Sequence, residues 1–300
     1  ANPGLGRNLN DRHAWGGRLA ADIELGDSAR WFMAVDYIED DGTNIAGRDT
    51  NLDTGANPPS GNYGDVELVS TSILPNGLGA VFPGAVSKAN YGSETVSFNF
   101  VSNISVDTGD VGTLSFISGY RRVDNDFLVN FPLPQFDGFM AFPSAANPSP
   151  DDIFIIDNIG TFRQNSHELK WNGDLFDDRL NLTAGLYYLK ESNLTDFAAY
   201  FAFFVPSRDR VIRNTTRNLA GYLQGDISIT DTLTATLGVR YTDEKKVFRI
   251  SDNRPAGNIT DLTTANMLAQ GIPIEQREKV WTPRFALTLE PNPDTMIYAS

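Results

Sequence analysis

Residues 219–241 read LAGYLQGDISITDTLTATLGVRY, and their alternation decides the fold. Leu219, Leu223, Ile227 and Ile229 recur along a first segment, and Leu233, Ala235, Leu237, Val239 and Tyr241 along a second. The positions between them carry Gln224, Asp226, Thr234, Thr236 and Arg240. Successive side chains of a strand point to opposite faces, so this period of two predicts a pair of strands, each with one oily and one wet face. Thr230-Asp231-Thr232 is short and polar, enough to turn one strand back along the other.

The same hairpin recurs on both sides. Trp15, Leu19, Ala21, Ile23 and Leu25 turn at Gly26-Asp27-Ser28 into Trp31, Met33, Val35 and Tyr37. Val96, Phe98, Phe100, Ile104 and Val106 turn at 107–110 into Leu114, Phe116 and Tyr120. Leu169 and Trp171 turn at 175–179 into Leu180, Leu182, Ala184, Leu186 and Tyr188. Trp281, Phe285, Leu287 and Leu289 turn at 291–294 into a last short strand. About ten strands follow. The links between hairpins run roughly 50, 35, 20 and 35 residues and are rich in Gly, Pro, Asn and Asp, whereas links in compact soluble domains have medians of about 4 to 6. Tight turns on one side and long loops on the other are the pattern of an outer-membrane β-barrel. The rival, a soluble all-β sandwich, gives no reason for every long loop to gather at one end.

Tyr and Trp rings favour the boundary between lipid and water. Trp15, Tyr37, Tyr120, Tyr188, Tyr241 and Trp281 stand at strand ends beside the long links, and Trp31 and Trp171 beside short turns, which predicts two interfacial girdles. Arg18, Asp36, Asn99, Arg121, Lys170, Asn181, Gln224 and Arg240 would line a wet interior. Backbone groups in lipid must be paired internally, so about ten strands are expected to form part of a larger closed wall and to show two unpaired edges.

Composition narrows the classes. The longest apolar run, 197–205, is far short of the ~18 residues of a membrane helix. A formal charge of -14 and a pI near 4.5 oppose a nucleic-acid partner. Cysteine is absent, so neither disulfides nor thiolate metal sites arise. Residues 1–10 lack a signal-peptide pattern and read as an internal cut.

Three stretches resemble the barrel domain of TonB-dependent receptors, particularly the large receptor sets of sphingomonad-like proteobacteria. They are HELKWNGDLFDDRLNLTAGLYY at 167–188, the segment 221–246 ending in LGVRYTDEKK, and 281–300 with WTPRF and MIYAS. The resemblance implies an all-β antiparallel segment of about ten strands from a barrel of about 22, with short periplasmic turns and long extracellular loops. It implies an outer-membrane receptor that imports a scarce nutrient, such as siderophore-bound iron or cobalamin, with energy from the TonB-ExbB-ExbD system. Outer-membrane lipid and lipopolysaccharide would surround it. Residues 1–300 are expected to be a partial barrel domain, with plug, TonB box and C-terminal strands outside this chain. A passive porin is the alternative.

No P-loop, nucleophile elbow or zinc-helix motif occurs, and neither a metal nor a cofactor is expected. His13 and His167 are the only imidazoles. Ser166 adjoins His167, but adjacent strand residues face apart, so an esterase pair is not expected. Glu39-Asp40-Asp41 and Asp151-Asp152 read as solvated loop carboxylates, and the glycosylation-type triplets at Asn103, Asn193, Asn214 and Asn258 are not expected to be modified in a bacterial outer membrane. Aromatics crowd two of the long links: Phe127, Phe131, Phe136, Phe139 and Phe142 in one, and Phe197, Tyr200, Phe201, Phe203 and Phe204 in the next. They either pack as loop cores or receive a hydrophobic or aromatic cargo at the barrel mouth.

Overall fold

The computed structural model describes residues 12–42, 92–131, 154–177, 179–201, 205–253 and 263–300. Ten strands form one antiparallel sheet in which each strand pairs with its sequence neighbours. They are β1 (Arg12–Glu24), β2 (Ala29–Gly42), β3 (Gly92–Asp107), β4 (Thr113–Phe131), β5 (Phe154–Leu175), β6 (Leu180–Phe201), β7 (Val205–Thr230), β8 (Leu233–Asp252), β9 (Glu275–Asn292) and β10 (Thr295–Ala299). Among the described residues β1 pairs only with β2 and β10 only with β9, so the sheet they form has the two open edges expected of it.

The alternation places the two faces as expected. Leu19 is 77% exposed, Leu186 61%, Leu219 59% and Phe285 56%, and no second sheet packs on them among the described residues. The buried hydrophobics there are mostly alanines, joined by Ile250 and Met267. A soluble sandwich buries its large aliphatics between two layers. Here they lie bare on one side of a single layer, which is what a lipid-facing wall requires.

Strands run further than the alternation alone suggested. The link expected at about 20 residues between the third and fourth hairpins is largely ladder: β6 reaches Phe201 and β7 starts at Val205, paired throughout with one register shift at Ala199/Tyr200. Phe127, Phe131, Tyr200 and Phe201 therefore occupy strands rather than loops. Glu39, Asp40 and Asp41 belong to β2, and Asn103, Asn193 and Asn214 also sit on strands. The physical reason is that a ladder of backbone hydrogen bonds continues past the membrane boundary, where both faces are wet and the hydropathy contrast disappears. Asp151, Asp152 and Asn258 lie outside the described residues.

The link between β8 and β9 holds a short helix, α1 (Thr264–Ala269), which the alternation did not foresee. The Thr263 hydroxyl accepts from the Asn266 N–H at 3.2 Å, a standard N-cap. The Thr264 hydroxyl accepts from the Ile250 N–H at 2.7 Å and donates to its carbonyl at 2.9 Å, which ties the helix to the end of β8. The short turn between β5 and β6 places two non-glycine residues in the left-handed region, Phe176 and Asp177 at φ of 58° and 56°.

Candidate functional site

The register makes it possible to follow a single row of outward-facing residues across the sheet. From Trp15 the row passes Glu39, Val96, Asp124, Thr161, Leu194 and Arg213, and arrives on β8 at Arg249. The outward aromatic of β8 is Tyr241 instead, eight residues lower. Between these ends Tyr37, Tyr120 and Tyr188 each stand a further step down, on a diagonal. Seven strand spacings of about 4.8 Å against eight residues of about 3.4 Å give the diagonal a slope of about 40°. Barrel strands cross a bilayer at about 35–45°. The aromatics that look staggered along the strands thus lie at one level when the strands are tilted as in a membrane.

Several of these rings meet. Trp15 and Tyr37 have centroids 5.0 Å apart, and Tyr241 and Trp281 4.8 Å apart. Tyr120 contacts Phe98 at 6.0 Å. Beside the short turns, Trp31 Nε1 donates to Ser102 Oγ and Trp171 Nε1 to the Val111 carbonyl, both at 2.9 Å. His167 joins the upper set. It faces outward between Phe116 and Tyr188, with centroids at 6.1 and 6.4 Å, and its Nδ1 lies 2.9 Å from Ser118 Oγ. Ser166, one residue earlier, points to the other face, so the two side chains do not meet.

The inward face is a polar lattice. Asn172 donates to Thr183 at 2.6 Å, Asn181 to Asp174 at 2.7 Å and Thr236 to Asp226 at 2.5 Å. Arg18 lies 3.6 Å from Asp36. At its centre Tyr222 on β7 lies across Gly185 on β6 and donates its hydroxyl to Glu168 on β5 at 2.7 Å. A Cβ at Gly185 would meet the Tyr222 ring and hydroxyl at 2.4 Å, so only glycine leaves room for this crossing. The Arg240 guanidinium stands 5.6 Å from the Tyr187 ring centroid and 5.8 Å from that of Tyr222. Sequence reasoning missed this unit, because it depends on the register of three strands. Among the described residues no group of three His, Asp or Glu could hold a metal.

Higher on the same face the structure brings together aromatics that the sequence divides between two links. Phe127 of β4 and Phe197 of β6 flank Asn158 of β5 in one inward row. Four residues further out, Phe131, Phe154 and Phe201 pair at one level. Phe136, Phe139, Phe142, Phe203 and Phe204 lie outside the described residues. Above the outward aromatics, ion pairs stitch the strands together. The Arg277 guanidinium donates twice to Asp243, at 2.8 and 2.6 Å, and holds that carboxyl below its ordinary range. Lys245, 2.8 Å from Glu275, does the same to its partner.

The chain is similar to several solved outer-membrane receptors. The ferric yersiniabactin uptake receptor of Yersinia pestis matches with a TM-score of 0.60 at 14% identity over 99% of this chain and 38% of its own. The ferric-catecholate import receptor of E. coli K12 gives 0.58 at 13% identity over 98% and 43%, and the siderophore receptor PiuA of Acinetobacter baumannii 0.57 at 13% over 97% and 42%. At such identities the likeness is one of fold, and the chain spans well under half of each of these proteins. No curated protein matches its sequence. The family described as TonB dependent receptor-like, beta-barrel, matches residues 4–300. An open sheet with a bare oily face, a hydrogen-bonded wet face and an aromatic diagonal whose slope matches a barrel's strand tilt fits that match, and the chain belongs to the TonB-dependent receptor β-barrel family of the outer membrane.

Proposed function

We propose that this chain forms part of the wall of an active importer that carries a scarce nutrient across the outer membrane with energy delivered through TonB. The observation that carries the proposal is the pairing of a bare apolar band, bounded by a level line of aromatics, with a polar inner wall cross-linked by hydrogen bonds such as Tyr222 to Glu168 and Thr236 to Asp226. Trp15, Tyr37, Tyr120, Tyr188, Tyr241 and Trp281 act as the outer girdle and Trp31 and Trp171 as the inner one. The open edges on β1 and β10 receive the remaining strands of the barrel, since unpaired backbone in lipid is costly. A plug domain rests against the hydrated lattice around Tyr222, Glu168 and Arg240.

Cargo enters from the rim, where Phe127 with Phe131, Phe136, Phe139, Phe142, Tyr200, Phe201, Phe203 and Phe204 offer aromatic surface. The inward row of Phe127, Asn158 and Phe197 supports this assignment. A siderophore–iron complex or a cobalamin is the class of cargo that suits an aromatic rim above a polar lumen. The wall performs no bond chemistry on it.

The test is uptake by cells expressing the full-length receptor, with ferric catecholate, ferric hydroxamate and cyanocobalamin as labelled probes. Uptake of at least one that stops when TonB is deleted supports the proposal. A steady ionic conductance through the purified protein, with uptake indifferent to TonB, would instead establish a passive channel.

A further inference from the structure

On the inner wall, between the rim and the aromatic line, β5 carries a glycine that the fold does not require. The inward glycines Gly16, Gly119 and Gly185 are each crowded: a Cβ would meet the Tyr37 carbonyl oxygen at 2.8 Å, Ser166 Oγ at 2.9 Å and the Tyr222 ring at 2.4 Å. At Gly160 a Cβ would find, among the described residues, only the Asn125 carbonyl oxygen at 3.8 Å, an ordinary contact. Nor does its backbone adopt a positive φ. Neither packing nor conformation demands glycine here, and glycine inside a strand weakens it. Such a glycine marks a place where a ligand comes close to the backbone.

The register builds a slot around it. Asn158 and Phe162 flank Gly160 on the same face of β5, and Asn125 of β4 and Thr195 of β6 lie beside it. Phe127 and Phe197 stand at two corners, one step further out. The flanking residues are about 14 Å apart along β5 and the neighbours about 10 Å apart across it, which leaves the room of one aromatic ring. Asn125 donates to Thr95 at 2.8 Å and Thr195 to Asn193 at 3.4 Å, so both have partners of their own. Asn158 differs: its Oδ1 is buried, in the row flanked by Phe127 and Phe197, with no hydrogen-bond partner. A buried acceptor left unpaired is costly and calls for a donor. The inward positions of 123–127, 158–162 and 193–197 carry no charged side chain. Gly160 lies seven residues beyond His167 of the aromatic set, about 24 Å along the strand and, at a tilt near 40°, about 18 Å above it. The slot therefore faces the lumen beneath the level of Phe131, Phe154 and Phe201.

We propose that this slot seats an uncharged aromatic ring of the cargo bearing one O–H or N–H donor, as a phenol, an indole or an aryl amide does. The inference rests on the importer reading above and deepens it by naming the part of the cargo that the wall recognises. The ring lies on the bare backbone at Gly160, between Phe162 and the rings of Phe127 and Phe197, where offset and tilted ring contacts are favourable. Its entry turns those two phenylalanines apart and brings the donor to Asn158 Oδ1. With no cation in the slot, a ring ionised to a phenolate is rejected.

The full-length receptor in nanodiscs is titrated with 4-fluorophenol, followed by fluorine NMR, with 4-fluoroanisole as the same ring lacking the donor. Wild-type protein should bind 4-fluorophenol saturably and about two- to tenfold more tightly than 4-fluoroanisole, the range of one neutral hydrogen bond. Asn158→Leu should erase that preference, and Gly160→Val, which fills the slot, should weaken binding of both probes at least about tenfold. A Cβ at Gly160 has ordinary room, so the variant is expected to fold, and resistance of the barrel to SDS before heating verifies it. If it does not fold, Gly160→Ala takes its place and should weaken both probes at least about threefold. The proposal is overturned if the wild type shows no saturable binding, if folded Gly160 variants bind as well as it does, or if Asn158→Leu keeps the preference for the phenol. A receptor that seats 4-fluorophenol at Gly160 yet takes up nothing through TonB supports the slot and refutes the importer, which keeps the two apart.

Discussion

Substituting Gly185 by alanine tests the inner lattice at its tightest point. The new methyl group would overlap the Tyr222 ring and hydroxyl at 2.4 Å, so the ring must swing away from β6. Its hydrogen bond to Glu168 at 2.7 Å is then lost, and the contact with Arg240 at 5.8 Å loosens. A hydrogen bond to a charged group is worth about 1.5–3 kcal/mol, with the lower end apt in a wet lumen. The cation–π contact adds about 0.5–1 kcal/mol. Against this, alanine restricts the unfolded chain and returns about 0.5 kcal/mol. The expected net loss is about 2 kcal/mol. Urea unfolding of the full-length receptor in vesicles, followed by tryptophan fluorescence, measures it. The sharper observation is a double-mutant cycle, because in a Tyr222→Ala background the obstruction is gone and Gly185→Ala should be neutral or slightly stabilising. An equal cost in both backgrounds would refute the account, since the glycine would then matter for some reason other than the ring that crosses it.

Three further outcomes follow from the two faces and the rim. Leu237→Arg, on the oily face near mid-band, should cost about 2–4 kcal/mol in vesicle refolding, while Thr234→Arg on the wet face should cost far less; equal costs would contradict the assignment of faces. Phe176 adopts a φ of 58° at a short turn, so Phe176→Asn should raise stability by about 1 kcal/mol in the same urea assay. At the rim, Arg277 and Lys245 hold the carboxyls of Asp243 and Glu275 below their ordinary range. A depressed folded value means the contribution is present above the unfolded value near pH 4 and is lost as pH falls through the folded one. Amide exchange in the outer part of β8 and β9 should therefore quicken as pH drops below about 4, after correction for the intrinsic rate, and Asp243→Asn should remove much of that response.

The hairpins could be read from the sequence because lipid imposes the contrast that makes them visible. Leu219, Leu223 and Ile227 must differ from Ala220, Gln224 and Asp226 only where one side meets hydrocarbon. Past the girdle that demand ends. Lys190 and Ser192 point outward and Glu191 and Asn193 inward, all polar, so a continuous ladder reads as a loop. The aromatic rim was seen as composition and missed as geometry for the same reason. Phe127 and Phe197 lie 70 positions apart in the chain and share a row only through β5. The helix α1 left a fainter trace in Thr263 and Thr264, whose hydroxyls cap it and dock it, but two threonines among polar residues do not announce a turn of helix.

The register supplies what no single strand contains. Each hairpin taken alone gives an oily face and a turn, with its height in the membrane undefined. The hydrogen-bonded rows show that the aromatic line falls eight residues over seven strand steps, slightly more than one residue per strand. Carried around a wall of 22 strands at that rate, the stagger would total about 25 residues, and it is this stagger that sets strand tilt in a closed barrel. The same descent explains why outward cations gather on β6 to β9. The row that carries Leu19, Val35 and Phe100 within the oily band on β1 to β3 has risen clear of it by β6, where it becomes Lys190, Arg217, Lys245 and Arg277. Residues that a straight, untilted sheet would bring to one depth are thereby divided between hydrocarbon and head group, and the change from leucine to arginine along a single row is the chemical record of that tilt.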